Sequence, residues 1–404
     1  MKTLLTSCAL TLALASLTSA QAPSDTNLRS WATHRGINVG AAVTFPTNNR
    51  AVYDSALSQN FNIMVPENAM KISNTENVRG TFTFTAADAI VEFAEAHNMK
   101  MRGHTLVWHS QAGFMANINV PRDTMLAIMK NHINTVMGRY KGRILEWDVV
   151  NEAIGQNGAA SPNLRQSFWV TRIGNDFIDS AFVFARRADS NAILYYNDFG
   201  GESMNDSDPN SKSKNIYDLV KGLKDRGIPV DGIGLQSHLS GTIDTSAIGN
   251  NMRRLAALGL RISITELDIP NSGTVDSTKL ADQKRKYKSL MALCASVPNC
   301  KTFMLWGLND NQSWLGANTQ ALLFSGTTTL AKKPAYFGVV EALQESNRVT
   351  VSVNPAHIAT KAGSKAGLYR AAQGGVVGAS DARGGLRDLK GRNLPASVRR
   401  AMQP

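Results

Sequence analysis

Between Ile37 and Val340 the chain alternates between two patterns. Short runs rich in Val, Ile, Leu and Met give way to longer stretches in which apolar positions recur at helical spacing. The short runs are INVGAAV from Ile37, FNIMVPENAMK from Phe61, MKMRGHTLVWHS from Met99, ILEWDVVNEA from Ile144, AILYYNDF from Ala192, GIGLQSHL from Gly232, RISITELDI from Arg261 and FMLWGLND from Phe303. Near-continuous apolarity over so few residues is the mark of strands buried on both faces, as in a parallel sheet covered by helices. The covering helices are predicted at Ala86 to His97, Arg122 to Tyr140, Gly174 to Ala188, Lys212 to Arg226, Asp244 to Leu258, Lys279 to Ser296 and Lys333 to Gln344. Eight strands in this alternation predict an α/β fold, closed as a (β/α)8 TIM barrel. An open doubly wound sheet is the competing arrangement, but no glycine-rich phosphate turn follows the first run.

Polar chemistry collects where the apolar runs end. After the first, they finish in Glu67-Asn68 with Lys71, His104 with Trp108 and His109, Asn151-Glu152, Asn197-Asp198, Gln236 with His238, Glu266 with Asp268, and Trp306 followed by Asn309-Asp310. A closed barrel gathers the C-terminal ends of its strands into one cleft. Carboxylates at the edge of a core are costly, and paired ones do chemistry more often than lone ones. Glu152 and Glu266 are the candidates. One protonated carboxyl and one ionised partner are what glycosidic-bond cleavage requires. Glu152 would hold the proton, favoured by a negative neighbour, and His238 hydrogen-bonded to Asp268 would keep Glu266 ionised. Asn151 could hold a sugar hydroxyl, and Trp108, Trp306 and Trp314 could stack on sugar rings. The plain alternatives are helix-capping or salt-bridged glutamates and core-packed tryptophans.

The chain ends change the reading of charge. Lys2, the apolar run from Leu4 to Leu17 and Thr18-Ser19-Ala20 have the form of an export signal over residues 1–20. No stretch is long and apolar enough for a transmembrane segment. The net charge is +12, but residues 346–404 hold ten Lys/Arg against two Asp/Glu, and Lys2 leaves with the signal. Residues 21–345, the expected catalytic barrel, thus carry only +3, no footprint for nucleic acid. Residues 346–404 read as a linker and a disordered basic tail, apart from NRVTVSVNP, which could form one short strand. With Tyr369 as their one aromatic residue, they lack the platform of a carbohydrate-binding module. Losing Cys8 with the signal leaves Cys294 and Cys300. An even pair in an exported protein predicts a disulfide, worth roughly 2–2.5 kcal/mol in the chain-entropy picture; two separate buried thiols are the alternative.

Eight motifs together resemble one family. ENAMK at Glu67, RGHTLVWHSQ at Arg102, WDVVNEA at Trp147, SFWVTRIGNDFI at Ser167, LYYNDF at Leu194, GIGLQSHL at Gly232, ITELDI at Ile264 and LWGLNDNQSW at Leu305 stand in the order found in family 10 glycoside hydrolases, the endo-β-1,4-xylanases. The resemblance covers roughly residues 30–345. It implies a (β/α)8 barrel and a retaining double displacement on xylan, with Glu152 as acid/base and Glu266 as nucleophile. It implies Glu67, Asn68 and Lys71 on the second glycone sugar, and His104, Trp108, Asn151 and Gln236 around the sugar at the cleavage point. His238 would touch Glu266 with Asp268 behind it. Trp306 and Trp314 would wall the glycone side, and Tyr196 and Asn197 would approach the leaving group. Xylan and xylo-oligosaccharides are the expected partners, with no cofactor or metal and a monomeric protein. A mixed-specificity β-1,4-glucanase/xylanase of the same family is the alternative. Ala112-Gly113-Phe114 depart from the proline and tryptophan that often follow HSQ, which puts the leaving-group subsites in question. GLRDLKGRNL in the tail resembles the end of sorting domains that carry some bacterial proteins across the outer membrane.

Two rivals have different chemistry. A metal-dependent barrel hydrolase would use His104, His109 and His238, but its usual His-x-His pair is missing from INVGAAV. A sugar-binding protein on an inactive hydrolase scaffold would normally lack one of the two glutamates.

Overall fold

The eight apolar runs pair edge to edge and close on themselves. The structure, a computed structural model, describes residues 21–155 and 163–348 and the short segments 379–380 and 386–387. The barrel strands are β1 (Asn38–Val43), β2 (Ile63–Pro66), β3 (Lys100–Val107), β4 (Glu146–Asn151), β5 (Ile193–Asp198), β6 (Gly232–Leu235), β7 (Arg261–Leu267) and β8 (Cys300–Leu305). Each is parallel to its neighbours in chain order, and β8 pairs back onto β1. The helices are α1 (Leu28–His34), α2 (Arg50–Asn60), α3 (Ile72–Thr75), α4 (Thr85–Ala96), α5 (Arg122–Arg139), α6 (Phe168–Arg172), α7 (Phe177–Ala188), α8 (Lys212–Asp225), α9 (Thr245–Ala257), α10 (Ser277–Ser296) and α11 (Pro334–Glu345). Strand β8 starts three residues earlier than its apolar run suggested. Helices α1, α2, α3 and α6 were not foreseen. Helix α2 buries only Tyr53, Leu57 and Asn60, so its apolar stripe is too thin to stand out.

Paired strands exchange bulk on both faces of the barrel wall, Gly103 and Trp147 on the helix side and the other pairs in the lumen. Gly40 faces Ile63 across β1–β2, Gly103 faces Trp147 across β3–β4, and Gly232 and Gly234 face Tyr195 and Asn197 across β5–β6. A Cβ on any of these glycines would collide with the side chain opposite. Each glycine makes room for a neighbour's large group, as close packing requires on either face of the wall. Arg102 occupies the centre, fully buried, beneath Tyr195 and paired with Glu146 and Asp148.

The expected disulfide is present, joining Cys294 at the end of α10 to Cys300 at the start of β8. Residues just past the expected boundary at 345 touch the barrel. Arg348 folds back and donates from Nη1 to the carbonyl oxygens of Cys294 and Val297, both at 3.4 Å, and from Nη2 to Pro298 O at 3.2 Å. Arg35 in turn donates to the carbonyls of Leu343, Gln344 and Arg348. The barrel unit therefore extends at least to Arg348. Beyond it, a two-residue antiparallel pairing joins Ala379–Ser380 to Leu386–Arg387. The export signal, most of NRVTVSVNP and the rest of the candidate sorting segment lie outside the described residues. Among the described residues no helix is long and apolar enough to cross a membrane.

Candidate active site

The carboxylate that ends β4 sits in an unusual backbone. Glu152 has φ 56°, a left-handed conformation that disfavours any residue with a Cβ. Its neighbours hold it there. Its N–H donates to Asn197 O at 2.8 Å, and its carbonyl accepts from Arg165 Nε at 3.0 Å. The turn aims the side chain inward, where Oε2 accepts from Trp108 Nε1 at 3.0 Å and Oε1 from Gln236 Nε2 at 3.1 Å. The Asn151 carboxamide lies 2.9 Å from Asn197 Nδ2 and 3.2 Å from Gln236 Nε2.

Glu266, on β7, is 4% exposed and has different company. Oε1 accepts from Asn197 Nδ2 at 2.7 Å, and Oε2 lies 3.3 Å from His238 Nε2. His238 Nδ1 is 2.8 Å from Asp268 Oδ2. Burial opposes charge on this imidazole, but the bonds to Asp268 and Glu266 outweigh it and push its pKa up to about 10. A protonated ring donates through both nitrogens, so Asp268 and Glu266 each receive a charge-assisted bond. Glu266 thus faces a cationic donor, while the hydrogen bonds to Glu152 come from neutral donors. Two carboxyls in such unlike surroundings can divide into a proton carrier and an ionised partner.

The remaining candidates fall around this pair. Lys71 is buried, donates to Asn68 Oδ1 at 2.9 Å, and lies 5.1 Å from the Trp108 ring centroid. Burial lowers its pKa, opposed by the charges of Glu266, Glu67 and Glu152. Glu67 accepts from Thr44 Oγ1 at 2.9 Å. His104 is fixed by Asp148, 3.0 Å from Nδ1, and meets Trp306 edge to face. Burial would raise the Asp148 carboxyl, but Arg102 and His104 hold it below the usual range. Trp306 is nearly buried. Trp314 is 58% exposed, yet its Nε1 donates to Asp268 Oδ2 at 2.8 Å, the oxygen that also faces His238.

Two expected leaving-group contacts are corrected. Tyr196 is fully buried, with its hydroxyl donating to Asp198 and accepting from the N–H groups of Ala153 and Ile154. Asn197 is also fully buried and bonds to Asn151 and Glu266. Both side chains are spent on holding their neighbours in place. Successive strand side chains point to opposite faces, so Asn197 enters the lumen and Tyr196 turns away beneath the loop after β4. The half-buried Phe199 follows, with Lys212 Nζ 3.4 Å from its ring centroid and 2.9 Å from Asp198 Oδ1. His109 Nδ1 lies 3.9 Å from Glu152 Oε2, and its pKa is lowered by burial and by Arg165. His109, expected at the end of the third run, thus lies beside Glu152. The three histidines of the metal-dependent rival do not converge, since each faces a different carboxylate. Among the described residues no group of three or more His, Cys, Asp or Glu is placed to hold a metal.

Residues 27–342 match the family described as glycosyl hydrolase family 10. Over 298 residues the chain is 40% identical to endo-1,4-beta-xylanase A of Thermoanaerobacterium saccharolyticum, covering 70% of this chain and 25% of that protein. It is 39% identical to exoglucanase XynX of Acetivibrio thermocellus over a stretch covering 70% of this chain and 26% of that one. The chain thus spans about a quarter of the length of these relatives. Among solved structures, xylanase 10B of Thermotoga petrophila in complex with xylobiose superimposes with a TM-score of 0.74 at 35% identity, covering 80% of this chain and 98% of that one.

Proposed function

This chain belongs to glycosyl hydrolase family 10, and from that premise we propose that it is an endo-1,4-β-xylanase that cleaves internal xylosidic bonds with retention of anomeric configuration. The observation that carries the reading is the unequal setting of two glutamates: Glu266 against a protonated His238, Glu152 among neutral donors. The chemistry follows. Glu152 gives its proton to the glycosidic oxygen as the carboxylate of Glu266 attacks the anomeric carbon. The leaving sugar departs and a glycosyl ester forms on Glu266. Glu152, now ionised, takes a proton from water as that water attacks the same carbon, and the ester breaks. Lys71, Asn68 and Glu67 on one flank and Trp306 and Trp314 on the other would hold the glycone sugars.

An activated aryl xyloside should label Glu266, and the product should first appear as the β-anomer. A label elsewhere, or an α-product, refutes the assignment. Glu152→Ala should slow poor leaving groups far more than activated ones, and azide should restore part of the second step. Equal losses on both substrates with no azide effect would remove Glu152 from the acid/base role.

A second reading, mixed action on xylan and β-1,4-glucan, draws support from the relative named an exoglucanase. Xylose lacks the hydroxymethyl arm of glucose, so discrimination rests on a small steric difference worth about 1–3 kcal/mol. Matched xylose and glucose aryl biosides decide between the two: a clear kcat/KM preference for xylose supports the first reading, and parity the second. The signal-like residues 1–20 and the disulfide support export. A mature N-terminus near Gln21 in culture medium is the expected result.

A further inference from the structure

A further buried carboxylate at this end of the barrel takes no part in the scheme above. Glu202, on the loop after β5, is 5% exposed. Its Oε1 accepts from the backbone N–H of Ser237 at 2.9 Å. Burial raises its pKa, and the Ser237 N–H draws it part of the way back. Ser237 has φ 65°, the left-handed region where a Cβ is strained. It stands between Gln236 and His238. Gln236 Nε2 donates to Glu152, and His238 Nε2 faces Glu266. The turn at Ser237 thus sends one neighbour to each of the two glutamates.

Glu202 is itself braced. Asn251 Nδ2 donates to the carbonyls of Gly201 at 2.7 Å and Glu202 at 3.0 Å, and Asn251 Oδ1 accepts from Arg254 Nε at 2.8 Å. Gly201 lies so close to Ile216 of α8 that a Cβ there would strike its Cδ1. The segment behind the carboxylate is therefore fixed to α8 and α9, and the carboxylate can hold Ser237 against its own conformational preference.

We propose that Glu202 is a positioning residue for both glutamates, acting through the backbone of Ser237. It rests on the reading that Glu152 and Glu266 carry the reaction. Removing the acceptor lets Ser237 relax, which draws Gln236 from Glu152 and His238 from Glu266. The flanks of Glu67, Asn68, Lys71, Trp306 and Trp314 do not hang from Ser237, so the loss falls mainly on kcat and much less on KM.

The test measures kcat and KM on an aryl xylobioside. Glu202→Ala should lower kcat about 10²-fold, the scale of a small misplacement of reacting groups. Adding Ser237→Gly to that variant should recover at least about five-fold, because glycine is at ease at this φ. Glu202→Gln, which keeps an acceptor at the same reach, should also recover most of the rate. If Glu202→Ala does not fold, Glu202→Asp, one methylene shorter, takes its place with and without Ser237→Gly. Wild-type kcat in folded Glu202→Ala or Glu202→Asp overturns the proposal, as does a loss that neither Ser237→Gly nor Glu202→Gln relieves. Glu266→Ala is run alongside. Turnover surviving in that variant sinks the assignment of the glutamates; a dead Glu266→Ala beside a fully active Glu202→Ala sinks only the positioning role.

Discussion

A protonated His238 ties local chemistry to pH. Its pKa is pushed up to about 10 from an ordinary 6.5, burial being outweighed by Asp268 and Glu266. A group whose folded pKa is raised stabilises the native state fully below its unfolded pKa and loses that contribution as pH climbs through the folded value. The wild type should therefore exceed His238→Gln in melting temperature by most below about pH 6.5, with the gap closing towards about pH 10. A gap constant across that window would mean the imidazole is not held protonated. At this scale the sequence was half legible. WDVVNEA and ITELDI put each glutamate beside its polar neighbours within a few residues. Parity along β5 was not legible, so Tyr196 and Asn197 were given sugars to touch where they hold up other residues instead. A left-handed serine leaves no mark in a sequence either.

Elements place the site by how closely they approach. Asn197 reaches Glu266 because β6 offers no side chain at Gly234. The added methyl of Gly234→Ala would collide with Asn197 Oδ1 and lie 2.9 Å from Thr265 Cγ2. The variant should lose about 1–3 kcal/mol by overpacking, and kcat/KM should fall beyond what any unfolded fraction explains. Unchanged kcat/KM per folded molecule would separate Asn197 from the nucleophile. The loop from Trp306 to Lys333 is held by a buried ion pair. Lys333 Nζ lies 3.2 and 3.0 Å from the two oxygens of Asp310 and donates to Gln320 O at 2.6 Å. Burial lowers the Lys333 pKa and raises that of Asp310. Lys333→Met strands a buried carboxylate, so it should cost about 3–5 kcal/mol in chemical denaturation. Asp310→Asn/Lys333→Met should recover much of that loss. A single variant as stable as the wild type would show the pair to be idle. Strand positions were legible because eight apolar runs share one texture; the thin stripe of α2 gave no such signal.

At the scale of the molecule, the barrel has a fastening at its base where both ends of the folded unit meet. Arg35 near the start bonds the carbonyls at the end of α11, and Arg348 bonds the turn that the disulfide closes. A chain ending after Ser346 should lose roughly 1–3 kcal/mol, since a few partly exposed hydrogen bonds go. A chain ending after residue 350 should match the full chain in melting temperature. Both should keep full kcat/KM on soluble xylan. A drop in kcat/KM for the longer of the two would show that the basic tail serves the barrel. The contacts of Arg348 were not legible, because a lone arginine in a polar stretch reads as solvated.

The glycine–bulk pairs of the barrel wall carry a consequence for descent. Gly103 cannot gain a side chain while Trp147 keeps its indole, and trimming Trp147 first leaves a void before anything can fill it. Either first step is unfavourable, so the two positions can change only together or through a weakened intermediate. Lineages that share this barrel should inherit each pair as a unit, glycine on one strand and its large partner on the next. Where one member of a pair is replaced, its partner should be replaced too.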